Sequence, residues 1–369
     1  MGKDVLYFRT SVCLVVVFLL QMGASSASAQ EYKRVNLVSD IPGVALRADA
    51  NLVNAWGMAF SDTSPVWIAN NGTGTSTLYL GDGTPFPSPA APLVVQIPRV
   101  SADTPATPTG LVFNSTPGFV VTANGKSGAS VFIFVTEDGT IVGWNPMVDL
   151  QNAILVVNKS ASGAVYKGLA TGTNGGQPFL YATNFHDAVV EMYDATFTMT
   201  KTFTDPNVPA GFAPFGIQNI KGDLYVTFAL QNDQKHDDVA GPGNGFIDVF
   251  GTDGTWKSRF ASQGVLNSPW GLALAPGSFG VFAGELLVGN FGDGRINAFD
   301  FPGGTSAGGL KDTLGLPLTI NGLWALKFGT GGQSGPRDHL LFTAGIGDEG
   351  HGLFGVIKPL GEDQQGNQD

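Results

Sequence analysis

The sequence predicts an all-β protein, a six-bladed β-propeller of four-stranded antiparallel blades. A short phrase recurs six times along the chain, and each copy is followed by two further short apolar runs. No long segment shows the 3.6-residue periodicity of a helix. A repeat of roughly 50 residues with several strands per unit is typical of propellers, in which neighbouring small sheets bury each other's faces.

The recurring phrase is predicted to form the innermost strand of each blade. Its central residue falls at positions 57, 110, 168, 216, 271 and 325, and the copies read WGMAF, TGLVF, KGLAT, FGIQN, WGLAL and WALKF. A second phrase follows each copy and predicts a strand that runs back beside the first: VWIANNG, FVVTANG, FLYATNF, DLYVTFA, LLVGNFG and LLFTAGI. A third run completes the unit, as TLYL, SVFIF, VVEMY, FIDVF, RINAF or LFGVI. Turn-forming Gly, Asn, Asp and Pro bound these runs, as expected for strands.

The segment from Tyr32 to Val38 precedes the first copy and alternates polar with apolar residues. We expect it to close the ring as a strand of the last blade. Because strands alternate in direction within a blade, inner strands begin at the end of the channel where second strands finish. Residues at these two positions should therefore meet around one opening.

Composition and charge limit the possible partners. Hydrophobic residues make up 43% of the chain, too many for disorder, and 19 basic against 30 acidic residues give a net charge of −11. No nucleic acid partner is expected, because phosphate binding needs a basic surface.

Residues 1–29 resemble a secretory signal, with an apolar run from Val12 to Leu20 and small residues at Ala27-Ser28-Ala29. We therefore expect a secreted protein, extracellular or periplasmic, with no membrane span after signal cleavage. The propeller would occupy residues 30–360, and residues 361–369 would form a polar tail.

Asparagines and carboxylates are the main candidate site residues. Four asparagines finish predicted second strands, at Asn70, Asn124, Asn184 and Asn290, and two precede inner strands, at Asn54 and Asn321. Nearby carboxylates are Asp187, Asp293, Asp348 and Glu349. One interpretation is a Ca²⁺ site ligated by Asn124, Asn184, Asn290 and Asp293, with the other residues contacting a ligand. The other is turn chemistry, since Asn favours strand ends for its own backbone hydrogen bonds.

Other candidates leave the same choice open. His186 and His351 follow second strands next to acidic residues, which suits general acid–base catalysis or simply a polar surface. The loop from Gln231 to Ile247 carries Asp233, His236, Asp237 and Asp238, which would chelate a metal or lie in an ordinary surface loop. Trp56, Trp270 and Trp324 lie on inner strands, where they would form a platform for sugars or pack between blades.

Long phrases in the chain resemble a family of secreted, mostly bacterial proteins with no established activity. The phrases are NLVSDIPGVA, NLVNAWGMAF, KHDDVAGPGNGFIDVF, SPWGLALAP, LLVGNFGDGRINAFD and LLFTAGIGDEGHGLFG. The resemblance spans Tyr32 to Ile357 and implies the fold and export.

The blade phrase also resembles NHL repeats and the superfamily of calcium-dependent phosphotriesterases and gluconolactonases, a TolB-like group of propellers. Those enzymes hold a divalent metal with one Glu, two Asn and one Asp, for which Asn124, Asn184 and Asp293 would stand in here. They have Glu where this chain begins its first inner strand with Asn54-Ala55.

Two functional hypotheses follow. The first is a secreted binding or interaction module for an extracellular small molecule, carbohydrate or protein. The alternative is a Ca²⁺-dependent hydrolase, similar to a lactonase or esterase, with its metal at the central opening and His186 or His351 moving protons.

Overall fold

The structure, a computed structural model, describes residues 1–3 and 31–360. The predicted signal segment and polar tail thus lie almost wholly outside the described residues. Within them, six antiparallel sheets surround a central axis, and helical structure is confined to two short 3₁₀ turns at Ser160–Ser162 and Gly280–Phe282. No helix in this part of the chain has the length and apolarity to cross a bilayer. The predicted six-bladed propeller is confirmed.

The strands are numbered in chain order. Two strands come first, β1 (Tyr32–Ser39) and β2 (Arg47–Ala48). Blade 1 contains β3 (Ala55–Ala59), β4 (Val66–Asn70), β5 (Thr75–Tyr79) and β6 (Val94–Gln96). Blade 2 contains β7 (Pro108–Phe113), β10 (Phe132–Thr136), β11 (Thr140–Trp144) and β12 (Ile154–Asn158). Between β7 and β10 the chain forms a separate hairpin of β8 (Val120–Ala123) and β9 (Lys126–Ala129).

The remaining blades follow the same plan. Blade 3 contains β13 (Tyr166–Asn174), β14 (Gln177–Asn184), β15 (Val189–Asp194) and β16 (Met199–Phe203). Blade 4 contains β17 (Phe212–Ile220), β18 (Asp223–Leu230), β19 (Phe246–Gly251) and β20 (Trp256–Ser262). Blade 5 contains β21 (Pro269–Leu274), β22 (Leu286–Asn290), β23 (Ile296–Phe299) and β24 (Ser306–Gly309). Blade 6 begins with β25 (Leu323–Phe328), β26 (Leu340–Ile346) and β27 (His351–Pro359).

The N-terminal strand completes blade 6, as predicted. Strand β1 pairs antiparallel with β27, from Tyr32 opposite Pro359 to Ser39 opposite Leu353, with a bulge after Asn36. Strand β2 adds to the outer edge of β1 in parallel. The first and last described strands therefore lie side by side, and the ring is closed by their backbone hydrogen bonds.

The repeated glycine explains how the inner strands fit around the axis. A Cβ at Gly57 would lie 2.2 Å from the Thr109 carbonyl oxygen of the next inner strand, and one at Gly271 would lie 2.4 Å from that of Trp324. Both distances are far inside van der Waals contact. Because each inner strand approaches its neighbour's backbone this closely, the centre of the phrase must be very small.

Aromatic side chains fill the space between blades. Trp67 of blade 1 stacks on Phe132 of blade 2 with centroids 4.3 Å apart, and Phe203 of blade 3 meets Phe250 of blade 4 at 5.1 Å. Each buried ring of this kind contributes about 1.5–3 kcal/mol through removal of apolar surface from water. These contacts hold the blades at fixed angles and so fix the positions of the loops at both openings.

Blade 2 departs from the prediction. The phrase FVVTANG was expected to be its second strand, and this is wrong, since the segment forms the separate hairpin of β8 and β9. The second strand is β10, which pairs with β7 on one side and β11 on the other. The hairpin turns at Asn124 and Gly125, which both have positive φ, as tight hairpin turns require.

Candidate functional site

An aromatic plug fills the channel just below one opening. We call this end, where inner strands begin and second strands finish, the upper opening. The rings of Trp56 and Trp324 stack with centroids 3.6 Å apart, and Phe291 stacks on Trp324 at 4.0 Å. Trp56 and Trp324 are only 2% and 1% exposed. These two tryptophans are therefore packed inside the channel and do not form an exposed platform.

Lys167 occupies the position in blade 3 that Trp56 and Trp324 occupy in theirs, immediately before the centre of the phrase. Its side chain is 2% exposed, and its Nζ lies 5.1 Å from the centroid of Trp56. The Nζ forms an ion pair with Glu137 Oε1 and lies 3.6 Å from Asp237 Oδ1. Burial opposes the charge of the ammonium, but the Glu137 carboxylate outweighs it, so the pKa of Lys167 is raised.

A chain of amide contacts links Glu137 to a second carboxylate. Asn71 Nδ2 donates to Glu137 Oε2 at 2.8 Å, and Asn54 Nδ2 donates to Glu349 Oε2 at 2.7 Å and to Asn71 Oδ1 at 3.3 Å. Burial raises the pKa of Glu349 to about 7, with the hydrogen bond from Asn54 acting against the shift and Glu137 adding to it. Glu349 therefore titrates near neutral pH, in the range useful for proton transfer.

The long β18–β19 loop reaches over this group. Gln231 Nε2 donates to the Phe185 carbonyl at 2.6 Å and ties the start of the loop to blade 3. His236 Nδ1 lies 2.8 Å from Asp237 Oδ1, and this contact raises the pKa of His236. Burial raises the pKa of Asp238. Ligand atoms of Glu137, His236 and Asp237 all lie within 4.8 Å of one another.

We name these polar side chains the upper cluster. Its members come from blades 1, 2, 3 and 6 and from the β18–β19 loop: Asn54, Asn71, Glu137, Lys167, His236, Asp237, Asp238 and Glu349. Asp237 has 61% of its side chain exposed, so the cluster is open to solvent on the loop side. With every carboxyl group ionised and His236 neutral, four carboxylates surround one ammonium group.

Of the residues predicted from the sequence, Asn54 and Glu349 lie in the upper cluster. The structure places two other asparagines in contacts within a blade or with the segment just before it. Asn70 Nδ2 donates to Thr75 Oγ1 and Thr77 Oγ1 at 3.1 and 3.0 Å. Asn290 Nδ2 donates to the Val265 carbonyl at 2.8 Å and to Asp293 Oδ1 at 3.1 Å. Asn290 and Asp293 are thus brought together, whereas Asn124 lies exposed at the hairpin tip, apart from the blade strands.

Asn184 takes part in a buried network around Glu191. Its Nδ2 lies 2.9 Å from both Glu191 Oε1 and Asp187 Oδ2. Glu191 also accepts hydrogen bonds from Tyr166 at 2.7 Å, Tyr193 at 2.5 Å and Lys159 at 2.5 Å. Although burial opposes its charge, these donors hold the pKa of Glu191 below its usual value. Asn184 therefore secures a buried carboxylate inside blade 3.

The predicted proton-transfer histidines make separate contacts with carboxylates near the surface. His186 Nδ1 lies 2.9 Å from Asp187 Oδ1, and His351 Nδ1 lies 2.6 Å from Asp40 Oδ2. Asn321 and Asp348 are exposed. His186 and His351 thus contact different carboxylates. The histidine in the upper cluster is His236, which was predicted only as part of the long loop.

Sequence reasoning missed Glu137 and Lys167. Glu137 directly follows β10, the true second strand of blade 2, and was hidden by the wrong assignment of that strand. Lys167 was visible in the phrase KGLAT as a lysine at a position where three other blades have tryptophan. A charged residue among equivalent aromatic positions was the available signal.

No protein-family model matches the chain. Two uncharacterised proteins of Acanthamoeba polyphaga mimivirus are similar over most of its length. One is 33% identical over 330 residues, which cover 87% of this chain and 78% of the relative. The chain belongs to their family. The other is 32% identical over 327 residues, covering 86% and 84%. These relatives are viral, in contrast to the mostly bacterial membership expected from the sequence.

Solved structures share the fold at low identity. Virginiamycin B lyase from Staphylococcus aureus aligns with a TM-score of 0.51 and 13% identity, over 90% of this chain and all of that one (100%). The soluble aldose sugar dehydrogenase of Escherichia coli gives 0.53 and 13%, over 89% and 100%. A gluconolactonase from Xanthomonas campestris gives 0.51 and 14%, over 84% and 87%. At this identity the likeness shows the propeller fold alone.

Proposed function

We propose that the chain is a binding module for a small, neutral, hydroxyl-rich molecule of the carbohydrate class, which binds on the upper cluster. The observation that carries this proposal is the gathering of four carboxyl groups, a lysine and a histidine at one end of the channel. Ionisable groups held in a half-buried site cost free energy of folding, and their concentration is typical of functional sites. We infer that ligand contacts are the reason for their presence.

The chemistry of the cluster favours hydroxyl groups. Carboxylates accept hydrogen bonds from hydroxyls, while lysine and asparagine donate to them. The excess of carboxyl groups over cations repels organic acids and phosphates. A neutral polyol matches this mixture of donors and acceptors without adding charge.

The test is thermal unfolding and calorimetric titration with a panel of neutral sugars, sugar lactones and organic acids. We expect one or more sugars to raise the Tm, and Asp237→Asn to weaken that sugar about tenfold, the loss of one charge-assisted hydrogen bond. Asp237 is well exposed, so this variant should fold normally. Asp103→Asn, in an exposed loop, is the control with an equal change in charge. Organic-acid binding that competes with the sugar, or equal sugar affinity in all three proteins, would refute the proposal.

A metal-dependent hydrolase is the second candidate, favoured by one observation, the convergence of Glu137, His236 and Asp237 within 4.8 Å. Carboxylate oxygens and an imidazole nitrogen suit a divalent cation such as Ca²⁺ or Zn²⁺, which would polarise a carbonyl group. The metal would have to replace the Lys167 ammonium group as the partner of the Glu137 and Asp237 carboxylates. Glu349 would be positioned to carry a proton. A gluconolactonase is among the proteins that share the fold.

Metal analysis of the purified protein and titration with Ca²⁺ and Zn²⁺ separate the two candidates. The hydrolase predicts a stoichiometric metal that is lost in His236→Ala, together with lactone hydrolysis by the metal-loaded protein. The binding module predicts sugar binding that chelators do not change. Export is part of both proposals, and N-terminal sequencing of secreted protein should find a chain that begins near Gln30.

A further inference from the structure

The opposite end of the channel, the lower opening, contains a second cavity. It has a volume of about 330 Å³ and is lined by inner-strand residues of blades 1, 2, 3, 4 and 6. A neighbouring cavity of about 270 Å³ shares Gln218, Asn219 and Lys327 with it and extends towards blade 5. The larger volume falls in the range of roughly 300–1,000 Å³ typical of small-molecule sites.

Lys327 is a cation without an anionic partner in this cavity. Its Nζ lies 5.2 Å from the centroid of the Phe60 ring. Among residues 31–360, no carboxylate forms an ion pair with it. Burial lowers its pKa, and no nearby charge offsets the effect. Lys167 in the upper cluster has carboxylates beside it, so the two lysines of the channel are in opposite electrostatic situations.

Gln218 is a second polar group with unused hydrogen-bonding capacity. It lies two residues after the centre of its phrase, as Lys327 does in blade 6, so the two side chains occupy equivalent positions in different blades. Gln218 makes no side-chain hydrogen bond within the described part of the chain, whereas Asn219 donates to the Thr171 carbonyl at 3.0 Å and accepts from the Gly222 amide at 3.1 Å. Gln218 is therefore free to bind a ligand.

The other side chains that line the cavity are mostly apolar, including Met58, Leu111, Val112 and Leu169, although polar atoms supply the larger part of its exposed surface. One ammonium group, one free amide and these apolar side chains together define the complementary ligand. It carries a single negative charge at one end and hydrocarbon at the other. A multiply charged anion would find too few cations here, and a neutral alcohol would leave the ammonium unpaired.

We propose that the lower opening binds a small organic monocarboxylate with an apolar body. The carboxylate pairs with Lys327 Nζ and accepts a hydrogen bond from the Gln218 amide, and the hydrocarbon packs on Met58, Leu111 and Leu169. This site is separate from the upper cluster and does not depend on the function proposed there.

Calorimetric titration with octanoate, acetate and octanol tests the proposal on the full chain. We expect octanoate to bind with one-to-one stoichiometry. Acetate and octanol should bind at least about tenfold more weakly, because acetate lacks the hydrocarbon chain and octanol lacks the carboxylate. Lys327→Met should weaken octanoate about tenfold or more, because it removes the charge and keeps an apolar side chain of similar length. Lys327→Arg should retain most of the affinity and shows that the fold tolerates substitution here.

Two further variants complete the design. Lys257→Met, on the exposed outer strand of blade 4, removes a charge elsewhere and should leave octanoate binding unchanged. Lys201→Met, on the exposed outer strand of blade 3, removes another distant charge and should also leave it unchanged. The proposal fails if octanoate does not bind the wild type, if octanol binds equally well, or if Lys327→Met retains full affinity.

Discussion

Trp324 donates its indole N–H to Asn54 Oδ1 at a distance of 3.0 Å, across 270 positions of sequence. Asn54 in turn donates to Glu349, so one hydrogen-bonded chain joins the aromatic plug to the carboxyl groups above it. The plug therefore does more than fill the channel. It orients an amide that holds Glu349 at the upper opening.

The first prediction concerns the plug itself. Trp324→Ala removes a buried ring that contacts Trp56 and Phe291, and it deprives Asn54 of a donor. We expect a loss of about 3–5 kcal/mol in the free energy of unfolding, the usual cost of deleting a large core ring. Urea denaturation measures it. Trp256→Ala, at a ring that is 40% exposed, is the control and should change stability by less than about 1 kcal/mol.

The second prediction is a pH dependence set by Glu349. Its pKa is about 7 in the folded protein against an ordinary value of 4.5, so between these values the folded state binds more protons than the unfolded state. Stability should therefore fall as pH rises from 4.5 to 7, by roughly 3 kcal/mol for this group. Glu349→Gln removes the titration, so the variant should gain stability relative to wild type over that interval. Asp348→Asn, the exposed neighbour, should show no such gain in urea denaturation at a series of pH values.

The third prediction concerns the ion pair of Lys167 and Glu137. Lys167→Met leaves a nearly buried carboxylate without its cation, which should cost about 3–5 kcal/mol of unfolding free energy. Adding Glu137→Gln should recover most of the loss, because the uncompensated charge is then gone. A double-mutant cycle by denaturation measures the coupling. Losses that simply add in the double variant would show that the two side chains do not interact.

The fourth prediction separates a structural asparagine from a metal ligand. Asn184→Ala leaves Glu191 without one of its donors and should cost about 1–3 kcal/mol of stability. Because Asn184 lies in the Glu191 network, the variant should bind Ca²⁺ and sugars as the wild type does. Asn321→Ala, at an exposed position, serves as the control for stability. Loss of Ca²⁺ binding with unchanged stability would identify Asn184 as a ligand instead.

The blade count and the closing strand followed from the sequence because both depend on local signals. A small residue at the centre of each inner strand is needed for close approach, so the phrase repeats wherever an inner strand occurs. Blade 2 was misassigned because FVVTANG has the same apolar run and turn residues as a true second strand. Pairing partners, which no local pattern encodes, distinguish β8 from β10.

The upper cluster was harder to predict for a related reason. Asn54 and Glu349 were named from their positions beside an inner and a second strand, and their side chains form a hydrogen bond. Glu137 and Lys167 come from two adjacent blades and Asp237 from a long loop of a third, and only the packing of these blades brings them together. Asn70 and Asn290 looked alike in sequence, yet their amide groups donate close to their own strands, to Thr75 and Asp293 respectively.

The pairing of β1 with β27 has a mechanical consequence. Tyr32 and Pro359 face each other at the same end of the antiparallel pair. A force that draws these two ends apart would load their hydrogen bonds one after another, beginning at Tyr32, instead of all together. The ring should therefore open by peeling at its seam under a low force while the other five sheets keep their strands.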